Sequence, residues 1–364
     1  MKPLDEIVSH FGIKVNETDI SPLGDGLIND TYKVTAGQAG DNQCYVLQRI
    51  NHHIFKDVDT LQRNIGIVTR HIRAHLLTKG ADDIDSRTLR FLENPETGKT
   101  YHFDGENYWR MMLFLDNTVT SKAVTPENAY RTGAAFGEFQ HMLSDVTEEL
   151  KESIPDFHNM EFRLEQFREA VNADRAGRAD SVRNLIEELE KRSAHACLAE
   201  KLHREGKLPK RICHCDTKVD NILFDPEGNV VCVIDLDTVM PSFIFSDFGD
   251  FLRSAANTGR EDDPDTGNVG FDMEIFRQFA KGYIESARCF LTPLETELLP
   301  YAAERFAYMQ AIRFLTDYLN GDTYYKTEYP EHNLTRTKAQ YALLRAIESK
   351  TEEMTDYIHG LTRV

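Results

Sequence analysis

Val58, Leu61, Ile65, Val68, Ile72 and Leu76 recur every three or four positions, the spacing that puts them on one face of an α-helix. On either side of that helix the period shortens. Thr31–Thr35, Tyr45–Ile50 and Trp109–Leu115 alternate or run apolar and are expected as strands. A brief helical period at Leu4, Ile7, Val8 and Phe11 stops at Gly12. Beyond residue 115 helical spacing dominates. Thr125-Pro126-Glu127 opens one helix with an N-cap, a first-position proline and an acid at the positive end of the dipole. Within it Gly133 and Gly137 lie four apart, which predicts close packing against another helix. Residues 149–210 are charged and helical, 257–270 form an exposed loop, and the obvious strands of this half fall between 211 and 237. The pattern predicts an α+β chain with a small β-rich lobe, residues 1–115, and a large, mainly helical lobe, residues 116–364.

The chain has 364 residues, long for a single core, which agrees with two lobes. Hydrophobic residues make up 41%, enough for a sizeable interior, but no run of about 18 apolar residues predicts a membrane span. The opening MKPLDEIVSHFGIK lacks the apolar core of a signal peptide, so a cytoplasmic protein is expected. Acidic residues outnumber basic ones by 60 to 42, a net charge of −18 that disfavours nucleic acid as a partner. Such a charge serves solubility, or an acidic cleft for a cationic substrate. The six cysteines, at 44, 197, 213, 215, 232 and 289, form no Cys-x-x-Cys pair. Cys213 and Cys215 flank His214 with no second ligand pair at zinc spacing, so packing thiols are expected.

Candidate chemistry concentrates in residues 211–238, RICHCDTKVDNILFDPEGNVVCVIDLDT. RICH is a short strand and CDTKVDN the loop after it; NILF and VVCVID are two strands joined by the turn Asp225-Pro226-Glu227-Gly228. A tight hairpin would set Asn221 and Asp235 at the same end, with Asp216 one loop away. The spacing Asp-x-Lys-x-x-Asn matches the protein-kinase catalytic loop, where the aspartate orients the acceptor hydroxyl and the asparagine ligates metal. Asn221 and Asp235 are thus candidate ligands for magnesium, Asp216 the candidate proton acceptor, and Lys218 a candidate to reach the transferring phosphate. Asp237 is either a second ligand or a group that orients the first. Asp247-Phe248-Gly249 imitates the kinase metal motif, but Asp235 already ends the hairpin leading out of the loop. Asp247 and Asp250 are therefore expected as capping or loop-bracing residues.

In the first lobe Gly24-Asp25-Gly26, ahead of a strand, is a candidate phosphate loop. The strand that should carry a lysine paired to a helix glutamate reads Tyr45-Val46-Leu47-Gln48-Arg49, and the helix offers Arg63 and Asn64 instead. Gln48 or Arg49 takes the lysine's place, and the residues leave the choice open. Met111–Leu115, ending at Asp116-Asn117, is the expected hinge for an adenine ring, with Leu115 and Asp116 as contacts.

HCDTKVDNILF with VIDLD resembles the aminoglycoside phosphotransferase and choline kinase-like family along the whole chain. SPLGDGLINDTY, FHNMEFR, IDLDTVMP and RFLTDYLNGDTYYKTEYPEHNLTRT make it most similar, within that family, to the N-acetylhexosamine 1-kinases. The resemblance implies a bilobal protein-kinase-like fold that uses ATP and Mg2+ to phosphorylate the anomeric hydroxyl of N-acetylglucosamine or N-acetylgalactosamine. It implies Asp216 as base, Asn221 and Asp235 as metal ligands, Gly24, Asp25 and Gly26 as the nucleotide loop, and Arg313 and Tyr324 as sugar contacts. Relatives with Gln at 48 and Arg-Asn at 63–64 make the absent lysine a trait of the subfamily. Leu27 and Ser254 stand where a relative carries histidine and phenylalanine near the sugar, which leaves the acceptor open. Choline, homoserine or an aminoglycoside are alternative acceptors, and a non-catalytic nucleotide-binding regulator is the alternative class. The expected protein is a monomer or small homo-oligomer that binds neither nucleic acid nor membrane.

Overall fold

The computed structural model describes residues 2–24, 28–38, 41–82, 84–121 and 124–362. The chain folds as two compact units. The first comprises residues 1–121, 145–155 and 222–240, and the second residues 122–144, 156–221 and 241–364.

The first unit is built on a five-stranded antiparallel sheet of β1 (Ile20–Pro22), β2 (Asp30–Gln38), β3 (Asp41–Ile50), β4 (His102–Phe103) and β5 (Tyr108–Leu113), in the order β1-β2-β3-β5-β4. Its register pairs Leu47 with Met111 and Gln48 with Arg110, so consecutive residues of β3 face opposite sides. Leu47, Trp109 and Met111 pack with Ile7 and Val8 of helix α1 (Leu4–Ser9), whose period was expected from the sequence, and with Phe11 just beyond it. The long expected helix is α2 (Val58–Thr78), capped by Asp57, with Val58, Leu61, Ile65, Val68 and Ile72 all buried.

The second unit is helical: α3 (Pro126–Met142), α4 (Met160–Ala173), α5 (Arg183–Glu190), α6 (Ser193–Ala196), α7 (Leu198–Arg204), α8 (Phe245–Ala255), α9 (Met273–Ala287), α10 (Pro293–Glu297), α11 (Leu299–Leu319), α12 (His332–Glu348) and α13 (Thr351–Thr362). Thr125 caps α3 as expected, accepting from Asn128 N at 3.2 Å. A Cβ added at Gly133 would run into the Phe279 carbonyl, and one at Gly137 would lie 2.7 Å from the Tyr283 carbonyl, so α3 and α9 cross at backbone contact. Helix α11 is buried along nearly its whole length, Glu304, Arg305 and Asp317 included, against α4, α8 and α12. Strand β6 (Arg211–Cys213) leads into the 214–221 loop, and the expected hairpin is β7 (Ile222–Phe224) with β8 (Val230–Val233). A further short strand, β9 (Met240–Ser242), lies outside the 211–237 span in which strands were expected. Among the described residues no helix is long and apolar enough to cross a membrane.

Candidate functional site

The 214–221 loop is held from below by one buried carboxylate. Asp247, in the first turn of α8, accepts from His214 N at 2.9 Å, Cys215 N at 2.7 Å and Gln140 Nε2 at 2.6 Å. Thr217 returns a bond from its hydroxyl to the Asp247 carbonyl at 2.7 Å, and Asp250 accepts from Thr217 N at 3.2 Å. The bracing role expected for Asp247 and Asp250 is what the geometry shows. Burial raises the Asp247 carboxyl above its ordinary range, opposed by His214 and by those backbone bonds. Burial likewise pushes Asp250 up to about 6, with Arg253 pulling it back and Asp216 pushing it further. Cys215 sits in left-handed backbone at φ 65°, a conformation costly for a residue with a Cβ, and its bond to Asp247 helps to hold it there.

Past that kink the loop turns its functional groups together. Lys218 Nζ lies 2.8 Å from Asp216 Oδ2, and Asn221 Nδ2 donates to the Asp216 carbonyl at 2.8 Å. Because the Asn221 amide nitrogen is committed there, its Oδ1 is left as an acceptor with no donor on it among the described residues. Asp216 is half-buried and Lys218 is exposed on one side, so both are reachable by a solute. His214 is fully buried, its ring edge-on to Phe136 and Phe139, and serves packing. Cys213 and Cys215 are buried free thiols, as expected, and burial drives both well above the usual thiol range.

In the first unit the 235–239 segment is anchored at four points. Asp237, nearly fully buried, pairs with the equally buried Arg110 of β5 and accepts from Asn29 Nδ2 at 2.7 Å. Ser153 Oγ donates to the Asp237 carbonyl at 3.0 Å, and Asn64 Nδ2 donates to the Val239 carbonyl at 3.1 Å. Asp235 itself has φ 60°, left-handed backbone like that of Cys215. The hairpin pairs Ile222 with Val233, and Asp235 follows it in the chain.

Gln48 and Arg49, the candidates for the missing strand lysine, are both engaged by other side chains. Gln48 Oε1 accepts from Arg110 Nε at 2.9 Å and Gln48 Nε2 donates to Thr31 Oγ1 at 3.1 Å, which engages both ends of the Gln48 amide inside the sheet. Arg49 points to the opposite face and pairs with Asp30. The buried cation of this face is therefore supplied by β5 rather than β3. Arg110 was not singled out in the sequence; the available signal was a charge flanked by Trp109, Met111 and Met112. Asn64, noted as a departure, holds the carbonyls of Lys151 and Val239.

Of the other expected nucleotide contacts, Gly24 adopts φ 71° with open space around it, Leu115 is buried and Asp116 is exposed. Asp25, Gly26 and Leu27 lie outside the described residues. Arg313 and Tyr324 line one pocket of about 690 Å³ in the second unit. Ser254 is exposed and donates to the carbonyls of Asp250 and Phe251. Among the described residues no cluster of three His, Cys, Asp or Glu side chains forms a metal cage.

Comparison with known proteins bears on the fold. An aminoglycoside phosphotransferase from Alicyclobacillus acidocaldarius has a similar fold, with a TM-score of 0.61 at 13% identity over 97% of each chain. A spectinomycin phosphotransferase, solved with ADP and spectinomycin, has a TM-score of 0.57 at 14% identity over 96% of this chain and 98% of its own. A choline/ethanolamine kinase family protein from Mesorhizobium loti has a TM-score of 0.54 at 15% identity, covering 94% and 92%. At these identities the likeness is one of fold. The model of the phosphotransferase enzyme family matches residues 19–285, well over half the chain, and the protein belongs to that family.

Proposed function

We propose that the protein is an ATP-dependent kinase of a small-molecule alcohol, and that its acceptor is the anomeric hydroxyl of an N-acetylhexosamine. The observation that carries the reading is the 214–221 loop, where Asp216, Lys218 and Asn221 are held together over a buried Asp247 brace. In in-line phosphoryl transfer most of the catalysis is positioning and charge stabilisation, and such a loop supplies both. Asp216 Oδ2 orients the attacking hydroxyl and takes its proton, while Lys218 stays close enough to follow charge on the phosphoryl oxygens. Asn221 Oδ1 and the Asp235 carboxylate would hold magnesium, a donor set of two oxygens that suits an ion completing its shell with water and phosphate. When bound, that ion neutralises charge on the nucleotide phosphates. Gly24, Asp25, Gly26, Leu115 and Asp116 would contact the nucleotide, with Gln48 contributing indirectly through Arg110.

Sugar over choline or an aminoglycoside is favoured by the pocket at Arg313 and Tyr324, which mixes three arginines, two carboxylates and several amide and hydroxyl groups and so suits a hydroxylated acceptor. The test is ADP release from MgATP over N-acetylglucosamine, N-acetylgalactosamine, plain hexoses, choline, homoserine and kanamycin. Asp216→Ala should lose at least about 10²–10⁴-fold in turnover with ATP affinity nearly unchanged. Near-normal turnover in that variant would overturn the role of Asp216.

A further inference from the structure

On the face of the five-stranded sheet opposite α1, the strand register sets residues in three rows across β2, β3 and β5. Thr31, Gln48 and Arg110 lie abreast in the first row, and Lys33, Val46 and Met112 in the second. Thr35 and Cys44 pair in the third, where Phe114 N donates to the Cys44 carbonyl at 3.1 Å. Alternate residues of a strand share a face, so successive rows stand about 7 Å apart. The α1 side of the same strands is filled by Val34, Tyr45, Leu47, Trp109 and Met111. The first row is closed by its own hydrogen bonds and by Asp237. The other two are more open: Lys33, Thr35, Cys44, Val46 and Phe114 are half-buried, and only Met112 is buried.

Lys33 is the one charge on that mainly apolar surface. Its ammonium lies 4.2 Å from the centroid of the Phe114 ring and meets no carboxylate or hydrogen-bond acceptor among the described residues. A cation so placed has room for a second aromatic face, and the attraction strengthens as water is excluded. The ends of the rows fix a direction. Leu23 N donates to the Thr31 carbonyl at 2.9 Å, which brings the turn at Gly24 to the first row. At the other end Phe114 leads the chain into Leu115 and Asp116. A nucleotide with its phosphates at Gly24 and its base beside Leu115 and Asp116 runs across the rows, with the base over the second and third. Lys33 leans toward Phe114, the base end, and away from Gly24.

We propose that Lys33 is a nucleobase-binding residue, its ammonium set against the face of a purine that seats on Val46, Met112 and Phe114. The seat rests on the kinase reading, in which Leu115 and Asp116 border the base. Lys33 is then a contact to the base and does not replace the missing strand lysine at the phosphates.

Calorimetry on the whole protein with MgADP, adenosine and magnesium tripolyphosphate, without any acceptor, tests this apart from turnover. Lys33→Met should weaken MgADP and adenosine alike by about 3–30-fold, the range of a cation–π contact from exposed to desolvated sites, and leave tripolyphosphate unchanged. Lys33→Arg should keep most of the affinity. Lys33→Met should melt no lower than wild type, since its ammonium has no counter-ion to lose, which separates a lost contact from a lost fold. Cys44, in the third row, should react more slowly with iodoacetamide once MgADP is bound, whereas the exposed Cys289 should react at an unchanged rate. A Lys33→Met protein that binds MgADP as tightly as wild type would overturn the role of Lys33. A loss shared by tripolyphosphate would overturn the contact to the base, and an unprotected Cys44 would overturn the seat. Wild-type protein that binds neither MgADP nor adenosine would reject the kinase reading together with the seat, a result distinct from tight binding that ignores Lys33.

Discussion

Arg110 and Asp237 are each nearly fully buried, and among the described residues each is the other's only ion-pair partner. Removing one leaves the other charged, desolvated and unpaired, which typically costs about 3–5 kcal/mol, whereas replacing both with apolar groups of similar size is often neutral. Arg110→Met should therefore lower the free energy of unfolding by that amount, and Arg110→Met combined with Asp237→Leu should recover much of it. Denaturant titration of the three variants measures this. A double variant as unstable as the single one would show that the pair is not the source. Asp237 also carries the chain two residues past Asp235, so the pair is a positioning device for a strained loop. Its loss should lower kcat in the double variant while KM for the acceptor moves little.

At the scale of elements, the α3–α9 crossing decides which helix faces tolerate a side chain. Alanine usually favours a helix over glycine by up to about 1 kcal/mol. At Gly133 the added methyl meets the Phe279 carbonyl and the Tyr283 backbone, neither of which can swing away. Gly133→Ala should thus destabilise by about 1–3 kcal/mol. Gly66→Ala in α2, where the nearest atom is the flexible Arg70 guanidinium at 3.2 Å, should be neutral or stabilising. Urea unfolding of the two variants gives opposite signs on this account; the same sign would reject it. The brace between α8 and the 214–221 loop is an element-scale device too, since one carboxylate in a helix's first turn sets two loop amides and a strained Cys215 at once.

The first unit of the molecule is not contiguous: residues 145–155 and the 222–240 hairpin complete it. A fragment of residues 1–121 would keep the five strands and α2 but lose Asp237, Ser153 and the Val239 carbonyl. Arg110 would then be buried alone. Such a fragment should show no cooperative thermal transition by circular dichroism, and a sharp transition in it would show that the sheet folds without the hairpin.

Periodicity and motif spacing were enough for α2, the α3 cap, the β7–β8 hairpin, the Asp216–Lys218–Asn221 loop, and the demotion of Asp247 to a brace. All but the Asp247 brace, whose bonds reach His214 33 positions away, depend on residues close in the chain, where side-chain period and turn chemistry act directly. Arg110 lay beyond that reach, because a charge in an apolar strand is a contradiction until a partner 127 positions away resolves it. Gln48 drew attention as a substitute for a lysine, and only the β3–β5 register revealed it as a bridge between Thr31 and Arg110. Arg163 of α4 and Arg313 of α11 line one pocket only because those helices pack together. Sequence pattern reports which face of an element is buried; what lies opposite that face is set by long-range packing, and the buried charges of this protein are balanced or left unbalanced there.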